Sequence, residues 1–272
     1  YVGLTTTARA GLHKYMFPDT DDAHIILDLK ESVTSEEIVE SSINILSNTE
    51  VSGMRRTRGW ASDQFVYFYM EFSEPFERFG FVKDGEPSAL QKDVAEVQGL
   101  TGTNLKACFD FETDFGEIIF VKVGISPVDI EGEKNNLRTE IPDWNFEQVK
   151  KNARKKWAAQ MNKMIIEGAD EEQKEIFYTA LYHTMLAPNI YTDVDGRYRG
   201  HDLNVHHRSD FDMYTIFSLW DTFRTLHPLF TIIERERTAD FINSMLDMYK
   251  DDGLLPVWEL AACETNCMIG YH

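Results

Sequence analysis

The stretch EIIFVKVGISPVDIEGEKNNLRTEIPDW (117–144) is where one kind of sequence gives way to another. As far as Ser126 it is a short run of apolar and β-branched residues, the pattern of a strand. From Val128 to Trp144 it is polar and charged and reads as a linker. Upstream, the runs HIILDL (24–29), EEIVESSINI (36–45), QFVYFYMEF (64–72) and NLKACFDFE (104–112) repeat the strand pattern. In HIILDL, Ile25, Leu27 and Leu29 should face one way, with His24, Ile26 and Asp28 facing the other. QFVYFYMEF is apolar on both faces, as in a strand inside a packed sandwich or one covered by a helix. KDGEPSAL (83–90) reads as a loop.

Downstream the period changes. Phe146, Val149, Ala153, Trp157, Met161 and Met164 form a helical stripe, with Asp143 or Asn145 as the N-cap. A second helix should run from Asp170 past Phe177 and Leu181 to Met185, stopping before Pro188. A third is expected over 213–226, ending at His227-Pro228, and a fourth over 230–250, with Gly253 as its left-handed cap. A fifth should begin near Glu264. Strands first and helices second mean an α+β, multidomain chain: an antiparallel β-sandwich over 1–127, a linker and connecting helix over 128–168, and antiparallel helices over 169–272.

The 272 residues carry 27 Lys+Arg against 46 Asp+Glu, a formal charge of −19, with 43% hydrophobic and 12% aromatic residues. That composition folds, and its charge disfavours nucleic acid and anionic lipid while leaving cations and neutral solutes as ligands. No apolar run approaches the roughly 20 residues needed to span a membrane. Cys108, Cys263 and Cys267 are too few for a disulfide framework. A first residue other than Met, and an end without cap or tail, read as a piece cut from a longer protein.

Candidate chemistry lies in the helical part. Asp193-Val194-Asp195-Gly196 resembles the start of a calcium loop but lacks the later ligand positions, so it reads as a turn. His206-His207 are adjacent, and their side chains should diverge. Cys263 and Cys267 lack partners for a zinc site and read as small buried hydrophobes. In SLWDTFRTLHP (218–228), Asp221 and Arg224 are spaced either for an intrahelical salt bridge or for a polyol clamp, in which the carboxylate accepts from sugar hydroxyls, the guanidinium donates to them and Trp220 offers an apolar face. In GLLPVWELAACETNCMIGYH (253–272), Glu264 lies among Ala, Cys, Met and Ile. It is either a general acid whose ionised form is disfavoured, or a helix-start carboxylate favoured by the dipole.

YTALYHTMLAPNIYTDVDGRYRG (178–200), YTIFSLWDTFRTLHPL (214–229) and DGLLPVWELAACETNCMIGYH (252–272) closely resemble the glycoside hydrolase family 92 α-mannosidases, and YVGLTTTARAGLHKYMFP with HIILDL looks like the later part of their N-terminal β-sandwich. The resemblance implies a β-sandwich followed by an (α/α)6 barrel, with the active site between them. It also implies calcium-dependent, inverting, exo-acting hydrolysis of terminal α-mannose on N-glycans or mannan. Glu264 inherits the role of general acid, Asp221 and Arg224 with Trp220 that of holding the terminal mannose, and Trp258 and Glu259 that of lining or supporting the site; Tyr271 and His272 close the motif. The base that activates water and most calcium ligands are expected beyond residue 272, so the fragment alone should be inactive. The family's setting suggests a periplasmic, cell-surface or secreted protein. The other readings are a non-catalytic carbohydrate-binding protein on the same scaffold and another (α/α)6 sugar-processing enzyme; linkage preference and oligomeric state are not written in these residues.

Overall fold

A computed structural model describes residues 1–92 and 98–269, which divide into two compact units. One comprises Tyr1–Lys150 with Asp193–Asp195, the other Lys151–Thr192 with Gly196–His272.

The first unit is built on β1 (Val2–Thr6), β2 (Ala10–Met16), β3 (Thr20–Asp28), β4 (Glu37–Ile45), β5 (Glu50–Arg58), β6 (Gln64–Phe72), β7 (Arg78–Lys83), β8 (Glu86–Pro87), β9 (Gln98–Gly102), β10 (Leu105–Thr113) and β11 (Ile118–Ser126). They form a seven-stranded sheet, β1-β2-β11-β6-β5-β4-β9, and a four-stranded sheet, β3-β10-β7-β8. All the pairings are antiparallel. Alternation creates the core: β10 buries Leu105, Ala107, Phe109 and Phe111, which pack with Ile25, Phe72, Phe76 and Phe79. In β3, Ile25 points inward and Ile26 outward, and Leu29, just past the strand, is buried as well, as the sequence predicts. β6 is buried on both faces, because Phe68, Met70 and Phe72 join that core while Tyr69 joins a second one with Leu12, Leu137 and Ile141. The expected loop at 83–90 starts on the last residue of β7 and otherwise contains only the two-residue β8.

The stretch expected to be a linker is corrected. Ile130–Glu140 is a helix, α1, whose N-cap Asp129 accepts from Gly132 N at 2.8 Å. Its polar sequence misleads because Leu137 is buried against the sheet together with Asn136, whose amide donates to Ile125 O at 2.9 Å and to Asp193 Oδ1 at 2.7 Å. The approach is close at Gly124 in β11, where a Cβ would lie 2.5 Å from Glu133 O. Asp193 is 2% exposed and also accepts from Ser126 Oγ at 2.6 Å, so it is spent on anchoring its own turn.

The two units divide within α2 (Phe146–Met161), and Asn145 caps that helix through Gln148 N at 3.0 Å. Only Phe146 and Val149 of its expected stripe are buried. In the second unit α3 (Glu171–His183) starts on an Asp170–Gln173 capping box. The 213–226 helix is corrected to a broken path. β12 (Asn189–Ile190) pairs with β15 (Tyr214–Thr215), β13 (Arg197–Arg199) with β14 (Val205–His207), and β16 (Phe217–Ser218) is followed by the single turn α4 (Leu219–Thr222). Ile216 interrupts the path at φ 70°, outside helical space. His227-Pro228 is not a stop. It lies in the first turn of α5 (Leu226–Ile233), where a missing N–H costs nothing. The long fourth helix is split at Glu234, φ −133°, into α5 and α6 (Arg235–Asp252), and α6 ends at Gly253 with φ 74°, as predicted. The fifth helix is replaced by two strands, β17 (Trp258–Leu260) and β18 (Cys263–Glu264). Tyr214, Phe217, Phe230 and Phe241 form the centre of this unit's core.

Candidate active site

β16, β17 and β18 form a three-stranded antiparallel sheet that contains Trp258, Glu259 and Glu264. Phe217 lies opposite Glu259 and Ser218 opposite Trp258; Glu259 in turn lies opposite Glu264, and Leu260 opposite Cys263. The sheet therefore sets Phe217-Ser218, the WEL segment and Glu264 on three successive strands, although more than 40 residues separate Ser218 from Glu264.

Glu264 is half-buried. The expected apolar helix face is replaced by amide donors: Val257 N reaches Oε2 at 2.7 Å, Trp258 N reaches Oε1 at 3.2 Å, and Asn266 N reaches Oε1 at 2.9 Å. With no helix at this position, the dipole reading of Glu264 falls as well. Asp221 and Arg224 are exposed, and they form no ion pair with one another among the described residues. Asp221 accepts from Ser218 Oγ at 2.5 Å, and the Arg224 guanidinium lies 5.2 Å from the Phe223 ring. Trp220 is exposed and Trp258 half-buried. Exposed carboxylate, guanidinium and indole next to the sheet offer an acceptor, a donor and an apolar face to a polyhydroxylated ligand.

Glu259 lies in the interior, 0% exposed. Its carboxylate accepts from Thr215 Oγ1 at 2.8 Å, Ile216 N at 2.8 Å and Ala262 N at 2.9 Å. Sequence reasoning missed its neighbour His201. That side chain is 2% exposed; Nδ1 is 2.5 Å from Asp252 Oδ2, and Nε2 is 3.9 Å from Glu259 Oε1, beyond hydrogen-bond reach but within ion-pair range. Burial pulls the imidazole pKa down, but Glu259 and Asp252 outweigh it and hold His201 above its ordinary value. No local motif marks this residue, because its carboxylate partners lie more than 50 positions away in sequence.

His206 and His207 sit on β14, where His206 stacks on Tyr198 and its Nε2 is 2.9 Å from Asp202 Oδ1. Asp202, His206 and Asp251 bring ligand atoms within 4.8 Å of one another. Calcium takes about six to eight oxygens, and one imidazole with two carboxylates does not build that cage. That cluster by itself therefore does not fit a calcium ion. Cys263 is buried and Cys267 half-buried, on a strand and a loop instead of one helix face. Tyr271 and His272 lie outside the described residues.

An antiparallel β-sandwich is thus followed by a largely helical unit in which a small sheet carries Glu264, with Trp220, Asp221 and Arg224 exposed just past its first strand. The sequence matches the glycosyl hydrolase family 92 N-terminal domain over 1–126 and the glycosyl hydrolase family 92 catalytic domain over 132–272. The chain therefore belongs to glycosyl hydrolase family 92. A family GH92 α-mannosidase from Bacteroides thetaiotaomicron shares 34% identity at a TM-score of 0.92 over 99% of this chain and 36% of its own. The complex of that protein with mannoimidazole superposes equally well, at a TM-score of 0.92. A family GH92 inverting mannosidase from the same organism shares 27% identity at a TM-score of 0.86, over 99% of this chain and 35% of its own. The chain thus spans about a third of the length of these solved relatives. No curated protein matches the sequence significantly.

Proposed function

We propose that the full-length protein is an inverting exo-α-mannosidase that removes terminal α-mannose from glycans such as N-glycans. The observation that supports this is the family 92 catalytic-domain match over 132–272, in which Glu264 shares a three-stranded sheet with Phe217-Ser218, the strand just ahead of the WDTFR segment. Asp221 accepts from mannose hydroxyls, Arg224 donates to them, and Trp220 and Trp258 offer apolar surface to the ring. Glu264 protonates the departing glycosidic oxygen, and a second carboxylate elsewhere in the full-length protein activates water on the opposite face. In the full-length protein, Glu264→Gln should sharply lower kcat on mannosides with a poor leaving group and do much less to an activated phenyl mannoside. Equal losses on both would contradict the acid role.

A carbohydrate-binding protein without hydrolysis is the second reading, favoured by the amides that occupy both Glu264 oxygens. Mannose binding without turnover in the full-length protein would establish it. Calcium and export to the periplasm or cell surface belong to the proposal through the family resemblance. Chelation of the full-length protein should abolish turnover, and added calcium should restore it. Fractionation of the producing cell tests the location.

A further inference from the structure

We propose that Glu259 and Thr215 are positioning residues, a buried clamp that holds the two-alanine turn from which Glu264 projects; this rests on the reading of Glu264 as the acid. Leu260 pairs with Cys263, so Ala261 and Ala262 alone connect β17 to β18, at φ 49° and 66°. A two-residue hairpin with both φ positive is a type I′ turn, which favours Asn-Gly; alanine adopts it only against the clash of its Cβ. The fold nevertheless holds the turn with one local and one long-range side-chain bond. Ala261 N donates to Thr215 Oγ1 at 2.7 Å, and Ala262 N donates to Glu259 Oε1 at 2.9 Å. The Thr215 hydroxyl donates onward to Glu259, at 2.8 Å from Oε1 and 3.0 Å from Oε2. Oε2 also accepts from Ile216 N at 2.8 Å, and Ile216 is itself left-handed at φ 70°. One carboxylate and one hydroxyl thus secure three non-glycine residues in backbone space that they avoid. Glu259 is 0% and Thr215 5% exposed, so water does not substitute for either. Glu264 follows the turn by two residues, so an error in the turn becomes an error in the placement of its carboxyl.

The test uses the full-length protein. Gln at position 259 must turn an NH2 group toward an existing donor, and Thr215→Val removes the hydroxyl relay. Glu259→Gln and Thr215→Val should each lower kcat about 100-fold on a mannoside with a poor leaving group, the scale expected of a misplaced catalytic group, with KM within about twofold. Adding Ala261→Asn with Ala262→Gly, which forms the turn unaided, should recover at least about tenfold of kcat in either background. Amide exchange of the 258–264 segment, slow in the parent, should quicken in Thr215→Val and slow again in the combined variant. A raised KM without rescue would place Glu259 on the substrate and overturn the proposal, as would unchanged exchange in Thr215→Val. If Glu259→Gln does not fold, Thr215→Val and Thr215→Ser carry the test, and Ser should keep the parent's kcat. The exchange readout requires no turnover. Failure of the acid reading, seen as equal losses in Glu264→Gln on both leaving groups, is therefore distinguishable from failure of the clamp.

Discussion

Glu133 is a carboxyl group with nothing to hold its charge. It is fully buried, and among the described residues neither oxygen has a hydrogen-bond partner. Burial first, then Asp129, Asp193 and Glu131, push its pKa from 4.5 up to about 10. The folded state therefore keeps a proton that the unfolded chain releases above its ordinary pKa, and stability falls as pH rises between those two values. Glu133→Gln should be more stable than the parent at pH 8. Its advantage should shrink by roughly 1.4 kcal/mol per pH unit as the pH is lowered toward 5, read from urea melts. Asp247 is the opposite case. Burial alone would raise its pKa, but bonds from Arg208, Lys250 and Tyr198 lower it from 3.8 to about 2. This contribution is present above the unfolded value and is lost as pH falls toward the folded one. Asp247→Ala leaves the Arg208 charge without its partner and should cost about 3 kcal/mol at pH 7, with a smaller difference from the parent near pH 2.

At the scale of elements, two glycines do different work. Gly253 ends α6 at φ 74° with nothing within 4 Å of an added Cβ, so Gly253→Ala should cost about 1 kcal/mol by conformation alone. Gly124→Ala would put a Cβ 2.5 Å from Glu133 O and 2.9 Å from Leu137 Cβ, forcing α1 off its strand, and should cost about 3 kcal/mol. Thermal melts of both variants check the contrast. The Gly253 cap was legible in sequence, as were the Asp170 start of α3 and the alternation in β3, β10 and β11, because each depends on neighbours within a few residues. β5 was not legible: EVSGMRRTR presents arginines and a glycine, yet Val51 lies in the core and the strand pairs on both sides. The structure of the region around Glu264 was not legible. Its shape depends on Glu259 reaching Thr215 and Ile216 across 44 and 43 positions, and the apolar run YTIFSLW resembles a helix until those bonds are known.

At the scale of the molecule, both family domains are present, yet the chain covers only 36% of a solved relative. Residues 1–272 supply the proposed acid and sugar-binding side chains, while inverting hydrolysis also needs an opposed base. The 272-residue chain by itself should release no mannose from an activated mannoside under conditions in which the full-length protein does; measurable release would show that the base lies within it. The pairing of Phe217 with Glu259 also has a kinetic consequence. It closes a loop that contains α4, α5 and α6, so those strands gain little until α5 and α6 have packed on one another. The Glu264 carboxyl should thus be among the last groups to reach its place during refolding, and mutations in α5 and α6 should delay the β16–β17 pairing without touching it.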